Sequence, residues 1–359
     1  MTRRFNFGAG PATMPDVVLE EVQQELLDWK GMGLSVMEIS HRSPEFIEIA
    51  KQAESDFRDL LDIPDSYAVL FLHGGATLQN AMIPLNLSPE GGTADYVNTG
   101  HWAKRSISEA KKYTDVNIAA SSEDKDFTYF PKQSSWSLSK HTAYVHITPN
   151  ETIGGLRFKD IEHSEVPIVA DYSSGILSEV IDINKFSLIY GGAQKNIGPA
   201  GLGFAIIKKD LLGKAQSITP TMLNYSEMHE GRSMYNTPPT FAWYVAGKIF
   251  KWLKSMGGVS EMEKLNNRKA KKLYSFIDQS DFYENKINKE DRSIMNIPFQ
   301  LNDESLNSKF LEESRDAGLL ALKGHRSVGG MRASIYNAMP EEGVEALVDF
   351  METFEKERS

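Results

Sequence analysis

Residues 187–207 read SLIYGGAQKNIGPAGLGFAII. Lys195 stands between Gly191 and Gly192 on one side and Gly198, Gly201 and Gly203 on the other, with an apolar run at each end, 187–189 and 203–207. Continuous apolar runs bounded by glycine are expected as buried strands. Glycine also lets backbone approach a ligand closely. A lysine carried into so crowded a place loses water, which lowers its pKa and makes it a nucleophile able to form a Schiff base. A lone lysine at a hairpin tip is more often simply solvated, so the reading depends on partners elsewhere in the chain.

Similar runs precede this segment at 67–72, 93–97, 116–119, 143–147 and 168–170. They alternate with helical patterns such as 16–29, where apolar residues recur at helical spacing between Pro15 and Gly31. The alternation predicts an α/β fold, a large domain with a mostly parallel sheet flanked by helices. After residue 255 the order becomes helix 261–277, strand 293–300, helix 304–317, strand 330–336 and helix 341–355, which fits a smaller α+β domain. The expected division is therefore an N-terminal arm at 1–15 packing with the small domain, a large domain at 16–255 and a small C-terminal domain at 256–359.

The residues just beyond each strand are more telling. Asp171 closes the 168–170 run, 24 positions before Lys195. A carboxylate in that place suits pyridoxal phosphate, whose ring nitrogen must stay protonated to act as an electron sink. Gly74, Gly75, Ala76 and Thr77 lie between the 67–72 strand and a helix expected at 78–84, where amides and a hydroxyl can face a phosphate at a helix N-terminus. Taken singly, an aspartate after a strand is an ordinary turn residue and a glycine pair an ordinary turn. Together with Lys195 they describe one pocket at the carboxyl ends of strands.

Composition removes other chemistries. The 359 residues include no cysteine, so disulfides, thiolate metal sites and cysteine nucleophiles are excluded. Eight histidines show no metal-ligand spacing, and no metal is expected. With 39 Lys+Arg against 49 Asp+Glu the formal charge is -10, which argues against nucleic acid as a partner. The N-terminus lacks the apolar run of a signal peptide and no stretch is long enough to span a bilayer, so a cytoplasmic protein without membrane partners is expected.

The motifs FNFGAGPA (5–12), MEISHRS (37–43), HGGATLQ (73–79), VNTGHWA (97–103), PNETIGG (149–155), ADYSSGILS (170–178), YGGAQKNIGPAG (190–201) and MYNTPPT (234–240) occur in this order. The chain thereby resembles the phosphoserine aminotransferase family, a class V branch of the pyridoxal-phosphate enzymes of fold type I. The resemblance implies that Lys195 carries the cofactor as a Schiff base and is the catalytic base. It implies that Asp171 pairs with the ring nitrogen, Trp102 stacks on the ring, and Thr152 bonds the ring hydroxyl. Ala76, Thr77 and Gln194 would hold the phosphate, joined by Asn236 and Thr237 from the neighbouring subunit of a homodimer whose active sites are shared. Arg332 would clamp the substrate α-carboxylate bidentately. His41 and Arg42 of the partner subunit, with His325 and Arg326, would meet the distal phosphate or γ-carboxylate. Some members carry Ser where this chain has Ala9, a weak substrate-site candidate, and some carry Arg where it has Thr77.

The implied reaction moves an amino group between L-glutamate and 3-phosphohydroxypyruvate, giving 2-oxoglutarate and O-phospho-L-serine by ping-pong kinetics, as in serine biosynthesis. The resemblance extends to 4-phosphohydroxythreonine in vitamin B6 synthesis without deciding whether this chain uses it. A cysteine desulfurase, which shares the fold, is excluded because the chain has no thiol. Another class V transaminase acting on an unphosphorylated keto acid such as glyoxylate is the alternative, and it would not need paired His-Arg groups. A non-catalytic relative would have no physical need for Lys195 and Asp171.

Overall fold

The computed structural model describes residues 3–358, so the outermost positions of the expected arm and small domain, 1–2 and 359, lie outside the described residues. The apolar runs pair into one seven-stranded sheet in the order Tyr67–His73, Leu202–Lys208, Leu188–Gly192, Ile168–Asp171, Thr142–Ile147, Thr93–Asn98 and Asp115–Ser121. Only Leu202–Lys208 runs antiparallel to its neighbours. Six strands therefore end at one edge of the sheet, and the seventh begins there.

Alternation along the strands divides the core into two layers. Val69 and Phe71 join Phe57, Phe204, Trp243 and Phe250 on one face, beneath the helices Pro44–Leu61 and Thr240–Ser255. Ala68, Leu70 and Leu72 join Met82, Ile83 and Ile107 on the other, beneath Gly75–Leu87 and His101–Ala110. Covering on both faces explains why these strands read as unbroken apolar runs.

A second unit holds the three-stranded antiparallel sheet of Tyr283–Glu284, Asn296–Leu301 and Met331–Ser334. Helices Gly258–Gln279, Asn307–Asp316 and Glu341–Lys356 pack on its core. The strand Phe5–Asn6 pairs with Leu319–Leu320, and Phe7 is buried in the same core. One helix serves both units: Val259 and Met262 of Gly258–Gln279 belong to the large core, and Ala270, Leu273 and Ile277 to the small one.

Every expected helix changes its limits: 261–277 widens to Gly258–Gln279 and 341–355 to Glu341–Lys356, and three others change more. Residues 16–29 form an α-helix only over Asp16–Glu25, followed by the 3-10 turn Trp29–Gly31. Leu27, counted as part of the apolar pattern, is 85% exposed, and Asp28 turns the chain by accepting the Gly33 amide at 2.7 Å. The helix expected at 78–84 begins earlier and runs over Gly75–Leu87, because Gly74 takes a left-handed conformation (φ 77°) that turns the chain directly out of the strand. The helix expected at 304–317 divides into the 3-10 turn Glu304–Leu306 and the α-helix Asn307–Asp316.

Candidate active site

The shared sheet edge assembles the pocket. His73, Ile147, Asp171 and Gly192 are strand ends, and the loops leaving them bring Ala76 and Thr77, Thr148 and Thr152, Ser173, and Gln194 with Lys195 around a cavity of about 440 Å³. Gly74 and Gly75 lead into the first turn of the Gly75–Leu87 helix, whose amides have no partner within the helix and form an anion site beside Ala76 and Thr77.

Two of the glycines around Lys195, Gly191 and Gly203, are required by packing within the protein. A Cβ on Gly191 would lie 2.9 Å from the Ser173 Cα, and one on Gly203 would lie 3.2 Å from the Gly75 backbone. They bring the protein's own segments together. Gly201, which lines the cavity, has open space around it and a φ of 100°. Lys195 does sit in the connection between the antiparallel strands Leu188–Gly192 and Leu202–Lys208, yet its amine is turned inward.

Lys195 Nζ donates to Thr152 Oγ1 at 2.7 Å and lies 5.6 Å from the Trp102 ring centroid. Burial lowers its pKa to about 8, outweighing the attraction of Asp171 and Glu151, with the nearby Arg332 acting in the same direction as burial. The Thr152 hydroxyl donates onward to Ser174 Oγ at 3.0 Å, so its lone pairs stay turned toward the lysine. Asp171 is 8% exposed, and its Oδ1 accepts the Ser173 amide at 2.9 Å. Buried Trp102 Nε1 and Thr148 Oγ1 have no hydrogen-bond partner in the protein.

The donor set fits pyridoxal phosphate. A desolvated amine, a buried carboxylate, an indole beside them and a helix N-terminus surround one cavity, with an unpartnered hydroxyl aimed at the same space. The first four match, in order, an aldehyde, a ring nitrogen, a ring face and a phosphate.

The other expected residues fall into three places. Arg332 reaches the rim, with Nη1 directed at the Thr152 carbonyl at 3.5 Å and a buried Nε without a partner. Burial lowers its pKa. His325 and Arg326 do not line the Lys195 cavity, and His325 connects to it through His101: the His325 ring is 5.2 Å from that of His101, which is 5.5 Å from the Trp102 ring. Burial is the main cause of a lowered His101 pKa, with His325, Arg105, Arg326 and Lys104 adding to it. Ala9 does not line the cavity, which begins at Gly10, and its carbonyl accepts the buried Tyr336 hydroxyl at 2.8 Å.

His41 and Arg42 do not line the Lys195 cavity. They line a separate one of about 530 Å³ with Arg232, Tyr235 and Trp243, where His41 Nε2 is buried without a partner. Asn236 and Thr237 are exposed, and the Thr237 carbonyl lies 2.9 Å from His73 Nε2, outside the cavity lining of their own chain.

Sequence reasoning passed over Glu151 and His101. Both lie inside the PNETIGG and VNTGHWA motifs, directly beside Thr152 and Trp102. The available signal for Glu151 was an acidic residue in the polar segment 148–152 that follows the strand Thr142–Ile147.

The family model for class-V aminotransferases matches residues 4–347. Phosphoserine aminotransferase of Hahella chejuensis is 57% identical over 98% of each chain. Among solved structures, phosphoserine aminotransferase from Bacillus circulans subsp. alkalophilus superposes with a TM-score of 0.98 at 45% identity, covering 99% of each chain. The PLP-bound phosphoserine aminotransferase from Trichomonas vaginalis gives 0.93 at 39% identity, covering 98% of this chain and 100% of its own. By these likenesses and the Lys195 pocket, the chain belongs to the class-V aminotransferases, among the phosphoserine aminotransferases.

Proposed function

We propose that the protein transfers an amino group reversibly between L-glutamate and 3-phosphohydroxypyruvate, using pyridoxal phosphate held at Lys195. The observation that carries this reading is the buried Lys195 amine beside Asp171 in a cavity whose floor is a helix N-terminus. When bound, the cofactor supplies an electron sink for negative charge at the substrate Cα.

The residues divide the work. Lys195 would hold pyridoxal phosphate and, as the base of the site, would take the Cα proton of the amino donor at Nζ, a transfer favoured when the pKa of the base lies near the working pH. Thr152 aims that amine through the bond seen at 2.7 Å and would accept a hydrogen bond from the ring hydroxyl at its remaining lone pair. The Asp171 carboxylate holds a proton at the ring nitrogen, and Trp102 covers the ring face and excludes water. Ala76, Thr77 and Gln194 hold the phosphate, with Asn236 of the partner subunit and Thr237 of the partner subunit. Arg332 takes the α-carboxylate.

His325 and Arg326, together with His41 of the partner subunit and Arg42 of the partner subunit, hold the distal anion of either substrate. One cationic mouth thereby serves both half-reactions, and ping-pong kinetics follow. A homodimer is part of this reading, supported by the position of His41, Arg42, Asn236 and Thr237 outside their own chain's Lys195 cavity.

Two measurements test it. Turnover of glutamate with 3-phosphohydroxypyruvate is expected to exceed turnover with glyoxylate, and activity on glyoxylate alone would overturn the substrate assignment. Chains carrying Lys195→Ala, which is inactive, and Arg42→Ala, which binds substrate weakly, are expected to regain turnover at low substrate when co-expressed, because a mixed dimer then holds one intact site. No recovery in dimers verified as mixed would rule out the shared site.

A further inference from the structure

Glu151 has no part in the chemistry assigned to this pocket, although it lies at the centre of the residues that do. It has 0% exposure and follows Asn150 at a strand end, with Thr152 next in the chain. Its Oε2 accepts the Trp102 amide at 3.1 Å and its Oε1 the Ala103 amide at 2.9 Å. These are free donors in the first turn of the His101–Ala110 helix, whose N-cap, Gly100, has no side chain to offer them. A local Ser or Asp is the usual answer to that need. Here a glutamate from nearly fifty residues away supplies both acceptors.

The fit is close on the other side as well. A Cβ on Gly100 would lie 2.8 Å from the Glu151 Cδ, so the carboxyl group is pressed against the main chain where the helix begins. Withdrawal from water raises the Glu151 pKa to about 7, with the nearby Asp171 adding to the rise, while the two amides and Lys195 pull it down. An exposed cap would carry none of this desolvation cost. What the buried position provides is a rigid tie between two pieces of the pocket. The helix carries Trp102, and the residue after Glu151 is the hydroxyl partner of Lys195.

We propose that Glu151 is a positioning residue of this site: by holding the Trp102 and Ala103 amides from the strand end that presents Thr152, it sets the Trp102 ring in register with Lys195. The proposal rests on the reading that Trp102 covers the ring of bound pyridoxal phosphate.

A double-mutant cycle tests it, with pyridoxal phosphate titrated into cofactor-free protein and visible absorbance as the readout. Glu151→Gln has the same shape but replaces one acceptor by a donor that faces an amide. It is expected to weaken cofactor binding about tenfold, a common effect of removing a supporting hydrogen bond. Trp102→Ala is expected to weaken it similarly, and the double variant no further than Trp102→Ala alone. A purely structural cap would act independently of the ring, and the double variant would then show the product of the two losses, which overturns the proposal.

Unchanged affinity in Glu151→Gln also overturns it. Unchanged affinity in Trp102→Ala overturns the reading of Trp102 itself and the proposal with it, so the two failures are told apart. Glu151→Asp keeps the charge but is one methylene too short to hold both amides, and it is expected to show the same non-additivity with Trp102→Ala. It keeps the proposal testable if Glu151→Gln does not fold.

Discussion

Two lysines in this protein are withdrawn from water, and they differ in what meets the amine. Lys195 Nζ makes one side-chain hydrogen bond, to Thr152, and faces a cavity of about 440 Å³. Lys269, on the Gly258–Gln279 helix, donates to the carbonyls of Ile335, Tyr336 and Met339 at 3.2, 2.9 and 2.9 Å. Burial lowers the first to about 8 and the second to about 7. Burial shifts both amines in the same direction, so the shift by itself does not mark the one placed for chemistry. The carbonyls of the turn after Met331–Ser334 enclose the Lys269 amine on three sides, which leaves no space beside it for anything to be attacked. A depressed pKa marks a reactive group only where valence is left over and there is space to use it.

Substitution separates the two roles most sharply. Lys195→Ala is expected to lower kcat by about 10⁴-fold or more and to abolish the visible absorption of the bound cofactor, with stability changed by no more than about 1 kcal/mol because only one hydrogen bond is lost. Lys269→Met is expected to do the reverse. It strands buried carbonyls and lowers stability by about 3 kcal/mol, measured by denaturant titration, yet keeps the visible band. A bleached Lys269→Met protein of undiminished stability would break the comparison.

The pH response sharpens it from another direction. Only the neutral amine of Lys195 can bond to the cofactor aldehyde. With a pKa of about 8 instead of 10.5, about a tenth of the chains carry that form at pH 7, roughly 300-fold more than an ordinary lysine would. Recombination of cofactor-free protein with pyridoxal phosphate is expected to accelerate about tenfold from pH 6 to 7 and to level off above about 8. A rate still climbing steeply at pH 10 would mean that this amine is not desolvated.

Much of this arrangement was legible in the chain. Each strand of the large sheet matches an apolar run to within three residues; all but the edge strand Asp115–Ser121 are buried on both faces, and such strands need no polar positions to define them. Lys195, Asp171 and the Gly74–Thr77 turn declared themselves by their place after such strands. Glu151 did not, since its partners are backbone amides almost fifty positions away and main-chain donors leave no trace in composition. Lys269 was equally hidden. In a polar helical stretch it reads as one more solvated cation, and only the return of residues 335–339 onto the helix buries it. The glycines near Lys195 misled in part, because tight packing between segments selects the same residue as close approach to a ligand.

The smallest expected effect joins the two lysines. Arg332 lies on Met331–Ser334, the strand that leads into the turn clamped by Lys269, and its guanidinium reaches the Thr152 carbonyl at 3.5 Å. Arg332→Ala is expected to raise KM for both substrates by about tenfold to a hundredfold, the strength of a charged hydrogen bond to a carboxylate, while cofactor absorbance stays intact. If the Lys269 clamp sets the height of that strand, Lys269→Met shifts the same parameter in the same direction by a smaller factor, about threefold, and leaves kcat nearly unchanged. A KM that moves in Arg332→Ala but not in a folded Lys269→Met protein would confine Lys269 to stability. Movement in both would make the structural lysine a remote support of the substrate clamp, in the same fold that leaves Lys195 free to react.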